Sequence, residues 1–391
     1  MGRQTMDGIL WSVGGRWQSG LMITRSRVLA YRAAVSGLTG PGSALLTGVQ
    51  DHPTGTTARL ALALRGVAGG EGVLVHSMRA AMHVHRLPDL GLLAAALRVD
   101  DGAELAKPSI GPFGTEIGAG FGAGVDEVVG VMRDVMADGV ARTKGELSGA
   151  VSPRVDRRLT PWCEGCGVHH VQDMLFRYAT LQAGLIIDVE SPAVFRFRVA
   201  PADGGPATEG GAVASIEVGA ARAELVRRFV HAAGPVRPAH LAAWLSLSPA
   251  AAKRWWSLAE ADLTDVEVDG RRGSVLAADL PALEAAPEPV EPRLLGPYDP
   301  LTELADREFL VPDAAARRQV WAAAANPGIV LWDGEIAGVW RRRTDRRRLT
   351  LTATAFGPLP SGWAGHESVR ADADVIRRFF DAEEVTIETA G

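Results

Sequence analysis

Lysine is almost absent from this chain: only Lys107, Lys144 and Lys253, among 41 basic residues, carry an ammonium group, and the rest are arginines. A mechanism that forms a Schiff base on lysine therefore has few candidates. Cysteine is scarcer still. Cys163 and Cys166, in "PWCEGCGVHHVQ", have the two-residue gap of a metal knuckle or a redox pair, and His169 and His170 follow closely. A structural zinc usually draws its ligand pairs from two separated segments. Four ligands within eight residues would strain to surround one ion, and adjacent histidines point apart. The expectation is a local turn with two small, partly buried thiols and no metal. Long apolar runs are also missing. The stretch "GLLAAALRV" (residues 91–99) is too short to span a bilayer, and "MGRQTMDGILWSVGG" lacks the apolar core and cleavage site of a secretory signal. A cytoplasmic chain with no membrane contact is expected.

What is present suits a globular protein of two to four domains: 391 residues, 47% hydrophobic and 22% charged. The net charge of −5 gives no global sign of nucleic-acid binding, but binding depends on local potential. Residues 28–38 recur at helical spacing with Thr24 as N-cap. A second helix is expected over 56–65, a hairpin over 73–78 and 82–86, and a helix capped by Asp89. The Gly-rich segment 111–124 reads as a boundary. A unit follows it with a helix over 126–137, a short helix capped by Thr143, a helix ending at Gly184, and strands. After the linker-like 201–215, the pattern repeats more cleanly. Two helices lead to a third with Ser248 as N-cap and Pro249 at its first position, and a hairpin turns at Asp269-Gly270.

Helix–turn–helix, helix, then hairpin is the order of a winged helix. In the third unit the last helix carries Lys253 and Arg254 and the wing carries Arg271 and Arg272, an arrangement that suits a helix in a DNA major groove. Past the Pro-rich "APEPVEPRLLGPYDP", strands are expected over 329–332, 335–340 and 348–354. Between the last two sits "RRRTDRRR", read as a hairpin tip with Arg341, Arg342, Arg343, Arg346, Arg347 and Arg348, a patch suited to phosphates. The fold class that results is α+β: three winged-helix units at 1–124, 125–220 and 221–290, and a small β-rich C-terminal domain at 291–391.

The segments "GVQDHP…ARLALALR", "RAAMHVHRLPDL" and "RLLGPYDPL…REFLVPD…VLWDGEIAGVWRRR" together resemble the winged-helix DNA glycosylases, the AlkZ-like and YcaQ-like relatives of azinomycin-resistance glycosylases. The resemblance runs from about residue 23 to 380. It implies three tandem winged-helix units and a β-rich C-terminal domain around a channel for double-stranded DNA. It also implies hydrolysis of N-glycosidic bonds to alkylated or crosslinked purines; a monomer with no cofactor is expected. The family's Gln-x-Gln or Gln-x-Asp motif falls at "GVQDHP". With Gln50 in its second position, Gly48 stands where the family has a polar side chain; starting at Gln50 instead puts His52 third.

Glycosidic cleavage passes through an oxocarbenium-like cation, helped by a carboxylate or amide dipole and an oriented water. An N3- or N7-alkylated purine is already cationic and leaves without strong acid catalysis. Gln50 is the candidate to orient the water and Asp51 to stabilise the cation or act as base; equally, Asp51 suits the cap of the following helix. Arg79, His83 and His85 lie on the hairpin that the resemblance places near DNA. Scarce lysine fits a monofunctional enzyme that uses water. The alternatives are a non-catalytic DNA-binding protein, a regulator or lesion binder, and a scaffold whose winged helices bind protein. Neutralising the six arginines of "RRRTDRRR" is expected to weaken duplex binding and flatten its salt dependence, measured by titration at several ionic strengths; unchanged binding favours the scaffold.

Overall fold

A computed structural model describes residues 9–13, 16–20, 23–40, 42–67, 71–107, 113, 116–201, 207–208, 212–213, 216–287, 290–304, 306–323 and 325–390. Most of the expected linker 201–215 and part of the Gly-rich segment 111–124 lie outside them. No described helix is long and apolar enough to cross a membrane.

Among the described residues the chain mixes helices with three sizeable sheets. One is six-stranded and antiparallel, in the order Val49–Gln50, Met82–His85, Val73–His76, Leu185–Ser191, Val194–Val199 and Arg142–Thr143. The hairpins expected in the first and second units are thus halves of one sheet, joined where Leu74 faces Ile187. A four-stranded sheet extends the expected wing, Leu263–Val268 and Arg271–Leu276, with the N-terminal strands Ile9–Val13 and Arg16–Gly20. The wing turn has Asp269 at φ 50° and Gly270 at φ 74°, the left-handed pair of a tight hairpin. The C-terminal sheet has five strands: Arg293–Leu295, Gly328–Trp332, Glu335–Asp345, Arg348–Ala355 and a parallel edge, Glu384–Thr389.

Local signals set several helix starts. Thr24 accepts from the Arg27 amide to start Arg25–Val35, a Thr143/Glu146 capping box starts Lys144–Val151, and Ser248 caps Pro249–Ser257. Asp89 is a correction. It makes no cap bond to the helix Leu90–Ala96, because Arg86 and Arg228 take its carboxylate. The expected boundary at 124 also fails locally, since Phe121 to Gly124 begin the helix Phe121–Met136. Gly122 lies so close to Asp100 that a Cβ would stand 2.6 Å from its carbonyl oxygen. Gly122 and Gly124 allow close packing of this helix against Asp100 and Leu159. The arginine run is redistributed too. Pairing of Arg341 with Thr352 and of Arg343 with Thr350 carries the strand through Asp345, which leaves Arg346 and Arg347 at the turn.

The apolar cores cross the expected boundaries at 124, 220 and 290. One runs from Val49 through Phe121, Phe176 and Phe197 to Trp244 and Leu304. A second packs the helix Arg25–Val35 against the wing strands and C-terminal residues such as Leu295 and Ile329. In a third, Leu60 and Leu64, at the helix Thr57–Ala63, meet Leu351 of the C-terminal sheet and Ile376 of the helix Glu367–Phe379.

Buried Arg–Asp pairs fix the strip from 293 to 306. Arg32 meets Asp306 at 3.0 Å, and Arg293 meets Asp372 at 2.9 and 3.0 Å. Arg65 grips Asp299 through two bonds of 2.7 and 2.8 Å, with side chains 1% and 0% exposed. Arg65 also donates to the carbonyls of Ser36 and Ala61. Breaking such a pair leaves an uncompensated buried charge. Asp299→Ala is therefore predicted to cost about 3–5 kcal/mol, read as a lower urea midpoint with an unchanged slope; a loss within the range of a surface substitution contradicts this.

Candidate active site

Gln50 ends a two-residue edge strand and pairs with His83 across the ladder. The chain reaches it through Gly48 at φ 80°, where a Cβ would stand 2.2 Å from Cε1 of His85. The imidazole of His85 fills the space that a side chain at 48 would need, and its Nε2 pairs with Ser77 Oγ at 2.9 Å. Glycine at 48 is thus a packing requirement of this sheet.

The hairpin beside Gln50 turns through Arg79 and Ala80, both left-handed, at φ 58° and 51°. Neither residue favours that region, and each costs on the order of 1 kcal/mol or more. The turn aims the Arg79 guanidinium inward. Its Nη1 donates to the Trp244 carbonyl at 2.7 Å, while Nη2 donates to Gln50 Oε1 and lies 3.4 Å from Glu303 Oε2. Burial lowers the Arg79 pKa, against the pull of Glu303. Burial likewise raises the Glu303 carboxyl above the usual glutamate range, against the charges of Arg79 and Arg307.

Gln50, Arg79 and Glu303 line a cleft of about 660 Å³ with Tyr298, Arg307 and Trp321. Through Tyr298 and Asn326 the cleft adjoins a second one of about 770 Å³, which His52, Trp340, Arg341 and Arg342 help to line. Tyr298, at φ 56°, stands edge-on to the His52 ring at 5.5 Å. Trp321 is anchored by its Nε1 on the Thr302 carbonyl at 3.2 Å and covered by the Arg307 guanidinium 5.0 Å from its centroid. The two adjoining clefts make one groove with a half-buried amide and carboxyl at one end and surface arginines at the other.

Asp51 does not line that cleft. Its Oδ1 accepts from the amides of Thr56 and Ala58, both at 3.1 Å, and Oδ2 accepts from Gly55. With 4% exposure it serves the start of the helix Thr57–Ala63, which corrects the catalytic reading of this residue. His83 and His85 need the same correction as DNA contacts. Each is 2% exposed, and burial holds His85 down at about 4 and His83 well below the usual histidine value. Neutral buried rings offer nothing to a phosphate. Arg79 spends its donors inside the protein, so it is a clamp and not a phosphate contact.

All six arginines of the C-terminal hairpin are exposed. Arg342 lies 4.0 Å over the Phe380 ring, Arg347 pairs with Asp381 and Glu383, and Arg348 pairs with Glu384. Lys253, Arg254, Arg271 and Arg272 are exposed as well, but none lines the groove; Arg254 reaches Glu104 and Arg272 reaches Glu267. Sequence reading missed Glu303, Tyr298, Arg307 and Trp321. The signal available was a Tyr and a Glu flanking Pro300 in "GPYDPLTEL", which carries no motif by itself.

The raised pKa of Glu303 has a definite sign in stability. Its protonated form is favoured by folding, so its contribution is complete below the ordinary glutamate pKa and is lost as pH rises through the folded value. Glu303→Gln mimics the protonated form at every pH. The variant is therefore predicted to match the wild type in acid and to be the more stable at neutral pH, measured by denaturant midpoints. A variant less stable at neutral pH contradicts the assignment.

No curated protein sequence matches the chain. The solved structure of Streptomyces sahachiroi DNA glycosylase AlkZ resembles it over 95% of this chain and 100% of that one, with a TM-score of 0.71 at 21% identity, a likeness of fold. The family model for AlkZ-like DNA glycosylases matches residues 53–387, beginning just past Gln50. By that match, over most of its length, the chain belongs to the AlkZ-like DNA glycosylase family.

Proposed function

We propose that this chain is a monofunctional DNA glycosylase that hydrolyses the N-glycosidic bond of alkylated purines or crosslinks in duplex DNA. In this reading three winged-helix units and the β-rich C-terminal part form the DNA channel. The observation that carries the proposal is the clamp: one guanidinium nitrogen of Arg79 contacts both the Gln50 amide oxygen and the Glu303 carboxyl at the inner end of the groove.

The chemistry follows from that geometry. With its oxygen held by Arg79, the Gln50 amide presents its NH2 group, which donates to the oxygen of a water molecule. The Glu303 carboxylate stabilises positive charge on the sugar and accepts the proton of that water. The bond from C1′ to the purine nitrogen breaks with its electron pair passing to the cationic base, and the water oxygen bonds to C1′. An alkylated purine needs no acid to leave. A base poised above the usual carboxylate range is better matched to neutral pH than an exposed glutamate. The exposed Arg341 and Arg342, which line the outer cleft, are the groups assigned to the backbone phosphates of a duplex.

Single-turnover base release from duplexes carrying N7-methylguanine and bulkier purine adducts tests the proposal. Gln50→Ala and Glu303→Gln are each predicted to slow release about 10²–10³-fold, the usual loss for one preorganised catalytic group. The wild-type rate should climb with pH through the raised Glu303 value, and the Glu303→Gln profile should be flat. Asp51→Ala is predicted instead to lower stability by about 1–2 kcal/mol through loss of the helix start. Duplex binding with no release from any lesion replaces the enzyme with the non-catalytic binder.

A further inference from the structure

Among the described residues one group of three side chains is arranged to hold a metal ion: Cys163, Cys166 and His170, with their ligand atoms all within 4.8 Å of one another. It lies outside the groove. We propose that these residues bind a single zinc-class divalent ion that staples the loop from 159 to 172.

The donors are the first argument. Thiolates with an imidazole select a soft transition metal over magnesium or calcium. Ligands about 2.0–2.3 Å from a tetrahedral ion lie roughly 3.5–3.8 Å apart, so small side-chain rotations close the present triad onto one centre. Both cysteines are free, and the Cys163 carbonyl accepts from the amides of Cys166 at 3.2 Å and Gly167 at 2.8 Å. That turn, with Gly167 at φ 65°, brings the second thiol back beside the first.

The second argument is the orientation of His170. Its Nδ1–H donates to the Val171 carbonyl at 2.7 Å, which leaves Nε2 as the nitrogen with a lone pair. A backbone carbonyl behind the non-ligating nitrogen is the usual outer partner of a metal-bound histidine. His169 turns away: its Nδ1 meets the Thr160 carbonyl at 3.0 Å, and its ring stands 5.3 Å from that of Trp162. Adjacent histidines do point apart, so a four-ligand cage fails, but three ligands converge without His169. The fourth position is left to water.

The third argument is what the loop lacks. Its strands, Trp162–Cys163 and Val168–His169, are two residues each, and Trp162 and Val168 are 52% and 51% exposed. So small a hairpin, with its apolar side chains in solvent, does not hold itself by burial. Its base is closed by the Gln172 amide on the Leu159 carbonyl at 3.0 Å, and the Gln172 side chain then caps the helix Asp173–Gln182. A metal ion supplies the missing hold at the loop's tip.

The test uses the full chain, stripped with a chelator under reducing conditions and reloaded with zinc or cobalt(II). One metal per chain is expected, with the thiolate-to-cobalt charge-transfer band and strong d–d absorption of a tetrahedral site. Cys163→Ser, Cys166→Ser and His170→Ala should each lose it, and His169→Ala should keep it. Should a substituted chain fail to fold, wild-type metal content and loop protection from proteolysis, before stripping and after zinc addition, decide the matter. Absence of stoichiometric metal, no protection on zinc addition, loss of metal in His169→Ala, or a persistent Cys163–Cys166 disulfide in reductant overturns the proposal.

Discussion

The Arg65–Asp299 pair is the constraint on which the groove depends. It joins the end of the helix that follows Gln50 to the strip that carries Tyr298 and Glu303, and both of its side chains are shut off from solvent. A buried pair of this kind adds little net stability over a well-packed apolar pair, but it tolerates one geometry only. Its value here is register. Residues far apart in the chain must meet within hydrogen-bonding distance, and a bidentate arginine specifies direction as well as separation. The flanking pairs Arg32–Asp306 and Arg293–Asp372 extend the same device along the strip. Arginine, scarcely replaced by lysine anywhere in this chain, is the side chain that can do this.

Within that frame the site is assembled from a strained turn. Arg79 and Ala80 adopt left-handed backbone, and the result is a guanidinium that reaches Trp244, Gln50 and Glu303 at once. Gly48 acquires a reason that its motif position alone did not supply. The position is empty because His85 occupies the space, tied to Ser77, and a larger residue would collide with the ring. The Gln50 amide oxygen and the Glu303 carboxyl, from the distant C-terminal part, then meet at the same guanidinium nitrogen of Arg79.

Local signals made much of the fold legible. Caps at Thr24, Thr143 and Ser248 and the Asp269-Gly270 turn all act within a few residues. What escaped depended on long-range geometry. Nothing near Leu74 announces that it will face Ile187 and merge two hairpins into one sheet. Asp51 and Asp89 show the limit on short polar residues: the first was legible as either cap or base, and the second was read as a cap but is held by two arginines. His83 and His85 alternate correctly on their strand, but alternation does not say which face is buried. Glu303 was invisible because its character comes from burial beside Arg79.

The central claim is that Gln50 and Glu303 act as one unit through Arg79. A double-mutant cycle on the single-turnover rate of base release, with Gln50→Ala, Glu303→Gln and the pair, measures this coupling directly. The account predicts strong non-additivity, with the double variant close to the slower single one. Losses that multiply independently would contradict it.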